Sequence, residues 1–294
     1  MAEGPVEQIR AKARELLSAR QVECVIGYER ASDGLTARPL FAYTPEETDR
    51  FILDNTCVHN LARYLLDRRT KPTAVVVKPC DSRTINLLVQ EKQIQRDKVF
   101  AIGVSCPGVV EARWGESPEK PQPRCQTCPL ELPVVYDHLI TVPGERPSPG
   151  SGQRQPRTGF PEMERLQAMS AQERREFWQK QFKRCVRCYA CRQVCPGCYC
   201  PICFVDQLDP TWVGIRIAPA ENQVWHLIRA FHLAGRCIEC GECQRVCPVG
   251  IPLMLLNDKL TAEVEGLFDF RPGLDPETLP PFATFKKEEL EAER

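Results

Sequence analysis

Short apolar runs alternate with amphipathic stretches along the first half of the chain. Residues 73–78 (TAVVVK) are β-branched and bounded by Pro72 and Pro79, the pattern of a buried strand. Residues 81–93 (DSRTINLLVQEKQ) then read as a helix with Asp81 near its N-cap. Residues 99–104 (VFAIGV) predict a second buried strand, and strand, helix, strand at this spacing is the size of one parallel βαβ unit. A further strand is expected over 23–28, and a helix over 46–68 with apolar positions at Ile52, Leu61 and Leu65. The opening stretch, MAEGPVEQIRAKARELL, reads as an amphipathic charged helix without the apolar core of a signal peptide. Residues 1–143 are therefore expected to form an α/β domain with a small parallel or mixed sheet.

The pattern then changes. Residues 144–162 (GERPSPGSGQRQPRTGFPE) are rich in Pro, Gly, Ser and Arg and read as a linker. A polar helix is expected over about 163–184, leading into a second domain that runs to 265, and another helix after Pro252. Residues 266–294 mix prolines with aromatics and read as an extended arm, lying on its own domain or docking on a partner subunit.

Composition narrows the chemistry. Lys+Arg and Asp+Glu each number 39, so no global basic field recommends nucleic acid as a partner. No apolar run reaches the roughly 18–20 residues needed to span a bilayer, and the expected location is the cytoplasm. Seventeen of the 294 residues are cysteine. Disulfides are rare in a reducing compartment, so metal is the first use to consider.

Cys185, Cys188, Cys191 and Cys195 spell C-x2-C-x2-C-x3-C, followed by Pro196. Cys237, Cys240, Cys243 and Cys247 repeat it 52 positions later, followed by Pro248. This is the bacterial ferredoxin signature, duplicated. Three thiolates on a tight loop reach three irons of one cubane, while the fourth ligates the other cluster. The expected sets are Cys185, Cys188, Cys191 and Cys247 for one 4Fe-4S cluster, and Cys237, Cys240, Cys243 and Cys195 for the second. A pair of zinc knuckles is the alternative, but zinc has no use for the third C-x2 step or the trailing proline. Small residues, Ala190 and Gly241, lie between the second and third cysteines of the loops. The second domain is thus expected to be an α+β two-cluster ferredoxin-like domain with flanking helices.

Between the repeats, GCYCPICF adds Cys198, Cys200 and Cys203. They could ligate a further cluster, bind zinc, or be reduced thiols packed on the clusters. A fourth ligand would have to come from elsewhere, with Cys57 and Cys24 as candidates by elimination alone. Both of these otherwise read as small buried hydrophobes.

The N-terminal half holds a second set. Cys80 follows the first strand and Cys106 the next, both at carboxyl ends of neighbouring parallel strands, where open α/β sheets bind ligands. Cys125 and Cys128 add a C-x2-C soon after. These four make a candidate third 4Fe-4S site, with zinc as the lesser outcome.

The stretches VVVKPCDSRTINLL, VFAIGVSCPGVV and RCQTCPLELP resemble the N-terminal region of beta subunits of deazaflavin-coenzyme-reducing hydrogenases and formate dehydrogenases. The matching positions are Pro79-Cys80, Cys106-Pro107-Gly108 and Cys125/Cys128, within residues 20–140. The resemblance implies an iron–sulfur flavoprotein module, with FAD as a cofactor to test, passing electrons between a soluble carrier and a redox partner. The chain departs from that pattern in two ways. Its ferredoxin repeat follows the domain, and no long flavin-binding region follows the cysteine set. The segment HLAGRCIECGECQRVCPVGIPL resembles cluster-binding segments of heterodisulfide-reductase-type and membrane-linked ferredoxin-oxidising complexes.

Other signals are weaker. GxGxxG and GxxxxGK[ST] are absent. His226 and His232 are six apart, off the spacing of a zinc helix, and read as packing or as neighbours of a cluster. Arg174, Arg175, Lys180, Lys183, Arg184, Arg187 and Arg192 read as a solvated face or as a surface steering an acidic partner such as soluble ferredoxin.

The expected function is an electron-transfer subunit of an anaerobic oxidoreductase complex, of hydrogenase, formate dehydrogenase or heterodisulfide-reductase-like type. Other subunits of that complex are its partners, and no residue is assigned a catalytic role. The alternatives are a self-contained iron–sulfur flavoenzyme reducing a deazaflavin or similar carrier, and a zinc-stabilised interaction scaffold.

Overall fold

The computed structural model describes residues 4–112, 115, 120–126, 128–143 and 161–284. The linker expected over 144–162 lies outside these residues, save its last two positions. The chain divides into two compact units: Met1–Gln155 with Gly273–Pro276, and Pro156–Pro272 with Glu277–Arg294.

The first unit is a mixed α/β sheet. Helix α1 (Pro5–Ser18) buries Ile9, Ala13, Leu16 and Leu17 on one face. Strands β1 (Cys24–Arg30) and β2 (Ala37–Ala42) form an antiparallel hairpin. Asp33 shapes its turn by accepting hydrogen bonds from the backbone N–H groups of Leu35 and Thr36, both at 3.0 Å. Strand β3 (Thr73–Val77) pairs in parallel with β1 on one side and with β4 (Val99–Val104) on the other. Strand β5 (His138–Ile140) pairs in parallel with β4 and completes the order β2-β1-β3-β4-β5. Every residue of β3 is buried, as a central parallel strand requires. Between β3 and β4 runs helix α2 (Pro79–Gln90), which starts two residues earlier than the sequence pattern implied. Its first-turn proline suits a helix start, and Asp81 accepts a hydrogen bond from the Lys78 backbone at 3.1 Å.

The helix expected over 46–68 does not form. Two 3-10 turns, Glu46–Arg50 and Leu61–Arg68, replace it. Phe51 is extended, and Ile52 N–H bonds to the Tyr28 carbonyl at 2.8 Å. Asp54 then draws the Thr56 N–H into a local turn at 2.8 Å, a side-chain bond that competes with a helix. The ring of Phe51 lies so close to Gly27 that a Cβ there would stand 2.6 Å from it.

The second unit is helical. The helix expected over 163–184 is two, α4 (Pro161–Ala168) and α5 (Ala171–Lys183). Ser170 breaks the run because it caps α5 reciprocally with Glu173, a capping box spelled S-A-Q-E in the sequence. Helix α7 (Pro219–His232) precedes the second cysteine loop, and α9 (Leu253–Phe268) follows it. No strand falls among the described residues of this unit, which corrects the α+β expectation. Each cysteine loop is entered from a helix rather than a strand: Cys185 N–H bonds to the carbonyl of Phe182 at 3.1 Å, and Cys237 N–H to that of Leu233 at 2.9 Å. The reason is spacing. Trp178 and Phe182, and Trp225 and Arg229, stand four apart, which puts each pair on one helix face. Among the described residues no helix is long and apolar enough to cross a membrane.

The beginning of the C-terminal arm packs within its own unit, with Phe270 buried and Arg271 paired to Glu239 at 2.8 Å. Residues 273–276 belong to the first unit instead. Asn86 on α2 donates to the Gly273 carbonyl at 3.1 Å, and Gln90 donates to that of Asp275 at 2.8 Å.

Candidate metal centres

The two cysteine loops repeat in backbone as well as in sequence. Arg187 (φ 48°) and Tyr189 (φ 57°) are left-handed in the first loop. Their counterparts 52 residues on, Glu239 (φ 58°) and Gly241 (φ 71°), are left-handed in the second. Non-glycine residues rarely adopt this conformation, and three of the four are not glycine. Alternating hands curl a backbone into a nest that turns its N–H groups inward, the arrangement of many anion and iron–sulfur sites. Each loop closes with a single helical turn, α6 (Ala190–Gln193) and α8 (Glu242–Arg245). Cys195 N–H then bonds to the Arg192 carbonyl, and Cys247 N–H to that of Gln244, both at 3.2 Å. The small residue noted in the first loop, Ala190, is not the counterpart of Gly241; Tyr189 is.

The loops meet crosswise. A cleft partly open to solvent is lined by Cys185, Cys188, Cys191 and Cys247, with Trp225, His226 and Ile251 around them. Cys195 instead lies in electrostatic range of Cys237, which also feels Cys240 and Cys243. Backbone N–H groups of Arg187 and Ile251 point at the sulfurs of Cys185 and Cys247, each at 3.3 Å. The Asn257 amide points at that of Cys243 at 3.6 Å. Burial pushes the thiols of Cys191 and Cys243 up to about 11 and about 12, and raises those of Cys185 and Cys237. Cys195 differs: a hydrogen bond from Cys198 brings it down to about 6. Among the described residues, no three His, Cys, Asp or Glu side chains converge as ligands of one metal ion.

The insertion cysteines go separate ways. Cys198 sits against Cys195, Cys203 packs on the cysteine core beside Arg192, and Cys200 is exposed. In the first unit, Cys80 lies in the first turn of α2, and its thiol feels Cys106 and Arg124. Burial raises its pKa. Cys125, in the turn α3 (Pro123–Gln126), faces Gly108 at 3.5 Å from where a Cβ would stand and packs on Val58, Val109 and Val110. Cys128 N–H bonds to the Cys125 carbonyl at 3.4 Å. Cys24, on β1, and Cys57 are buried; Cys57 sulfur accepts a hydrogen bond from Asp54 N–H at 3.4 Å.

Against known proteins, the chain is 23% identical to F420-dependent formate dehydrogenase subunit beta of Methanocaldococcus jannaschii, across 95% of this chain and 94% of that subunit. It is 28% identical to F420-dependent formate dehydrogenase 1 subunit beta of Methanococcus maripaludis, across 36% of this chain and 26% of that subunit. The resemblance to this beta-subunit family holds. It extends well past residues 20–140. The first alignment spans 363 positions, so the Methanocaldococcus subunit contains stretches that this 294-residue chain lacks. No protein-family model matches the chain.

Several residues of this beta-subunit-like chain escaped the sequence reading. Arg229 is 4% exposed and donates to the Cys191 carbonyl at 3.0 Å. Lys78 is buried beside Cys80, donating to Asp81 at 2.8 Å, to the His59 carbonyl at 2.9 Å and to the Tyr28 hydroxyl. A basic residue beside the P-C pair was the only signal for it. Of the basic set read as a solvated face, Arg187 is buried and donates to the carbonyls of Ile215 and Arg216, while Arg192 pairs with Asp206. His226 stacks on Phe182 at 5.0 Å, and burial together with Arg229 depresses its pKa to about 4. His232 packs edge-on against Phe204.

Proposed function

We propose that the chain is an iron–sulfur electron-transfer subunit of an oxidoreductase complex of the formate dehydrogenase kind. Cys185, Cys188, Cys191 and Cys247 would hold one 4Fe-4S cluster, and Cys237, Cys240, Cys243 and Cys195 a second. Cys80, Cys106, Cys125 and Cys128 would hold a third. The observation that carries the reading is the pair of duplicated nests whose cysteines meet crosswise.

The residues suit such groups. Thiols raised by burial stay protonated at neutral pH unless a metal supplies positive charge, and a coordinating thiol loses its proton outright. The Nε of buried Arg229 has no hydrogen-bond partner, and a buried cation is costly without an anion beside it. Bound 4Fe-4S clusters supply reversible one-electron storage. The chain would hold them through its thiolates, orient them through the N–H groups of Arg187 and Ile251 and the Asn257 amide, and exclude water with Trp225 and Ile251. Other subunits of the complex are the partners implied by the relatives' names.

Those names favour a second reading, in which the chain itself reduces a deazaflavin through a bound flavin such as FAD. The test is anaerobic purification from the native cell, with iron, acid-labile sulfide, flavin and co-purifying subunits counted. About eight irons per chain supports the two crossed sets alone, about twelve adds the Cys80 set, and about sixteen brings in Cys198–Cys203. Stoichiometric flavin would replace the first reading by the second. Absence of acid-labile sulfide would overturn both and leave the zinc scaffold.

A further inference from the structure

Arg229 is a buried cation that lies against both cysteine sets. It sits in the last turn of α7, on the same face as Trp225 and His226. Its guanidinium donates to the carbonyl of Cys191 and to the thiol of Cys243, and lies in electrostatic range of Cys195 and Cys198. Cys191 belongs to the first crossed set; Cys195 and Cys243 belong to the second. Among the described residues Arg229 pairs with no carboxylate. His226 also lies beside it, its pKa depressed to about 4 by burial and by the guanidinium itself. The strongest electrostatic partners of the guanidinium are therefore cysteine thiols. The duplication does not explain it either: position 177, 52 residues earlier, is Phe177.

We propose that Arg229 is the shared counter-charge of the two crossed centres, raising the reduction potential of both. The inference rests on the reading of the two sets as cluster sites. Four thiolates around a 4Fe-4S core leave net negative charge, and reduction adds one more. A fixed cation in a low-dielectric interior stabilises the more negative, reduced form, because nothing there screens it as water would. Net charge and hydrogen bonds at the sulfurs are among the terms that set cluster potentials. Arg229 supplies both at once.

The test compares the full chain with Arg229→Lys, Arg229→Gln and Arg229→Met, all prepared anaerobically. Iron and sulfide are counted, and potentials are read by EPR-monitored redox titration. With cluster content intact, Arg229→Met is expected to shift the reduction equilibrium of both centres at least tenfold towards the oxidised form, about 59 mV for a one-electron couple. Arg229→Gln keeps a donor for the Cys191 carbonyl without the charge and should shift in the same direction, while Arg229→Lys should stay near the parent. Unchanged potentials in cluster-replete Arg229→Met and Arg229→Gln would overturn the proposal. If both neutral variants lose their iron while Arg229→Lys keeps it, the charge is needed for assembly and the proposal stands. If Arg229→Lys loses iron too, the guanidinium acts through its shape and the proposal falls. A parent chain without acid-labile sulfide would instead sink the cluster reading beneath it.

Discussion

Cys24 and Cys57 are the cysteines that burial alone accounts for. Removal from water pushes their thiols up from 9.0 to about 11 and about 12. In the unfolded chain these thiols ionise above pH 9, while in the folded chain they stay protonated. The unfolded state then binds fewer protons, so stability is complete below pH 9 and falls as pH rises towards 11 and 12. The slope for each thiol approaches about 1.4 kcal/mol per pH unit. Denaturant melts at a series of alkaline pH values should show this fall, and Cys57→Ala should flatten it. Lys78 and Asp81 lead to a separate prediction. Both are buried, so Lys78→Met leaves the Asp81 carboxyl without its cation and should cost about 3–5 kcal/mol in denaturant unfolding of the first unit. Lys78→Met combined with Asp81→Leu should recover much of that loss.

At the scale of elements, sequence pattern was most informative where burial on both faces left one solution. Strand β3 and strand β4 begin where the apolar runs begin, because a central parallel strand is apolar throughout. Strand β2 mixes buried and exposed positions, and β5 has three residues, too few for any period to show. The 3-10 turns replaced a helix through bonds from Ile52 to Tyr28 and within Asp54–Thr56; the first of these joins residues distant in sequence. The proposed cysteine sets rest first on spacing, which is a local signal that sequence carries. Arg229 carries no such signal, because its partners come from α6 and α8 on either side of it in the chain. The left-handed Tyr189 was also hidden, since no glycine marks it. Two backbone predictions follow. Gly241→Val forces a β-branched residue to φ 71° and should lower iron and sulfide retention, with the deficit in the second set. Gly273→Ala places a methyl group on the Arg83 carbonyl at φ 72° and should destabilise the first unit by roughly 1–3 kcal/mol.

Across the whole molecule the two units draw stability from different sources. The first has a sheet core of Val, Ile, Leu and Ala. The second has a central cluster of seven buried residues, of which four are cysteines, Cys185, Cys191, Cys243 and Cys247. Thiols at the centre of a core are candidate ligands as well as packing, so bound metal should contribute to folding directly. Anaerobic chelation is therefore expected to abolish hydrogen-exchange protection over α5, α7 and α9 while β1, β3 and β4 stay protected. Equal loss in both units would refute this division.

Residues 273–276 also impose an order on biosynthesis. A ribosome delivers the sheet strands first, yet α2 must wait for the carbonyls of Gly273 and Asp275, which arrive after all seventeen cysteines have been translated. The unit that begins the chain is thus completed only after both cysteine loops have been made, and a nascent chain stalled after the second cysteine loop should expose the Asn86 and Gln90 side of that helix.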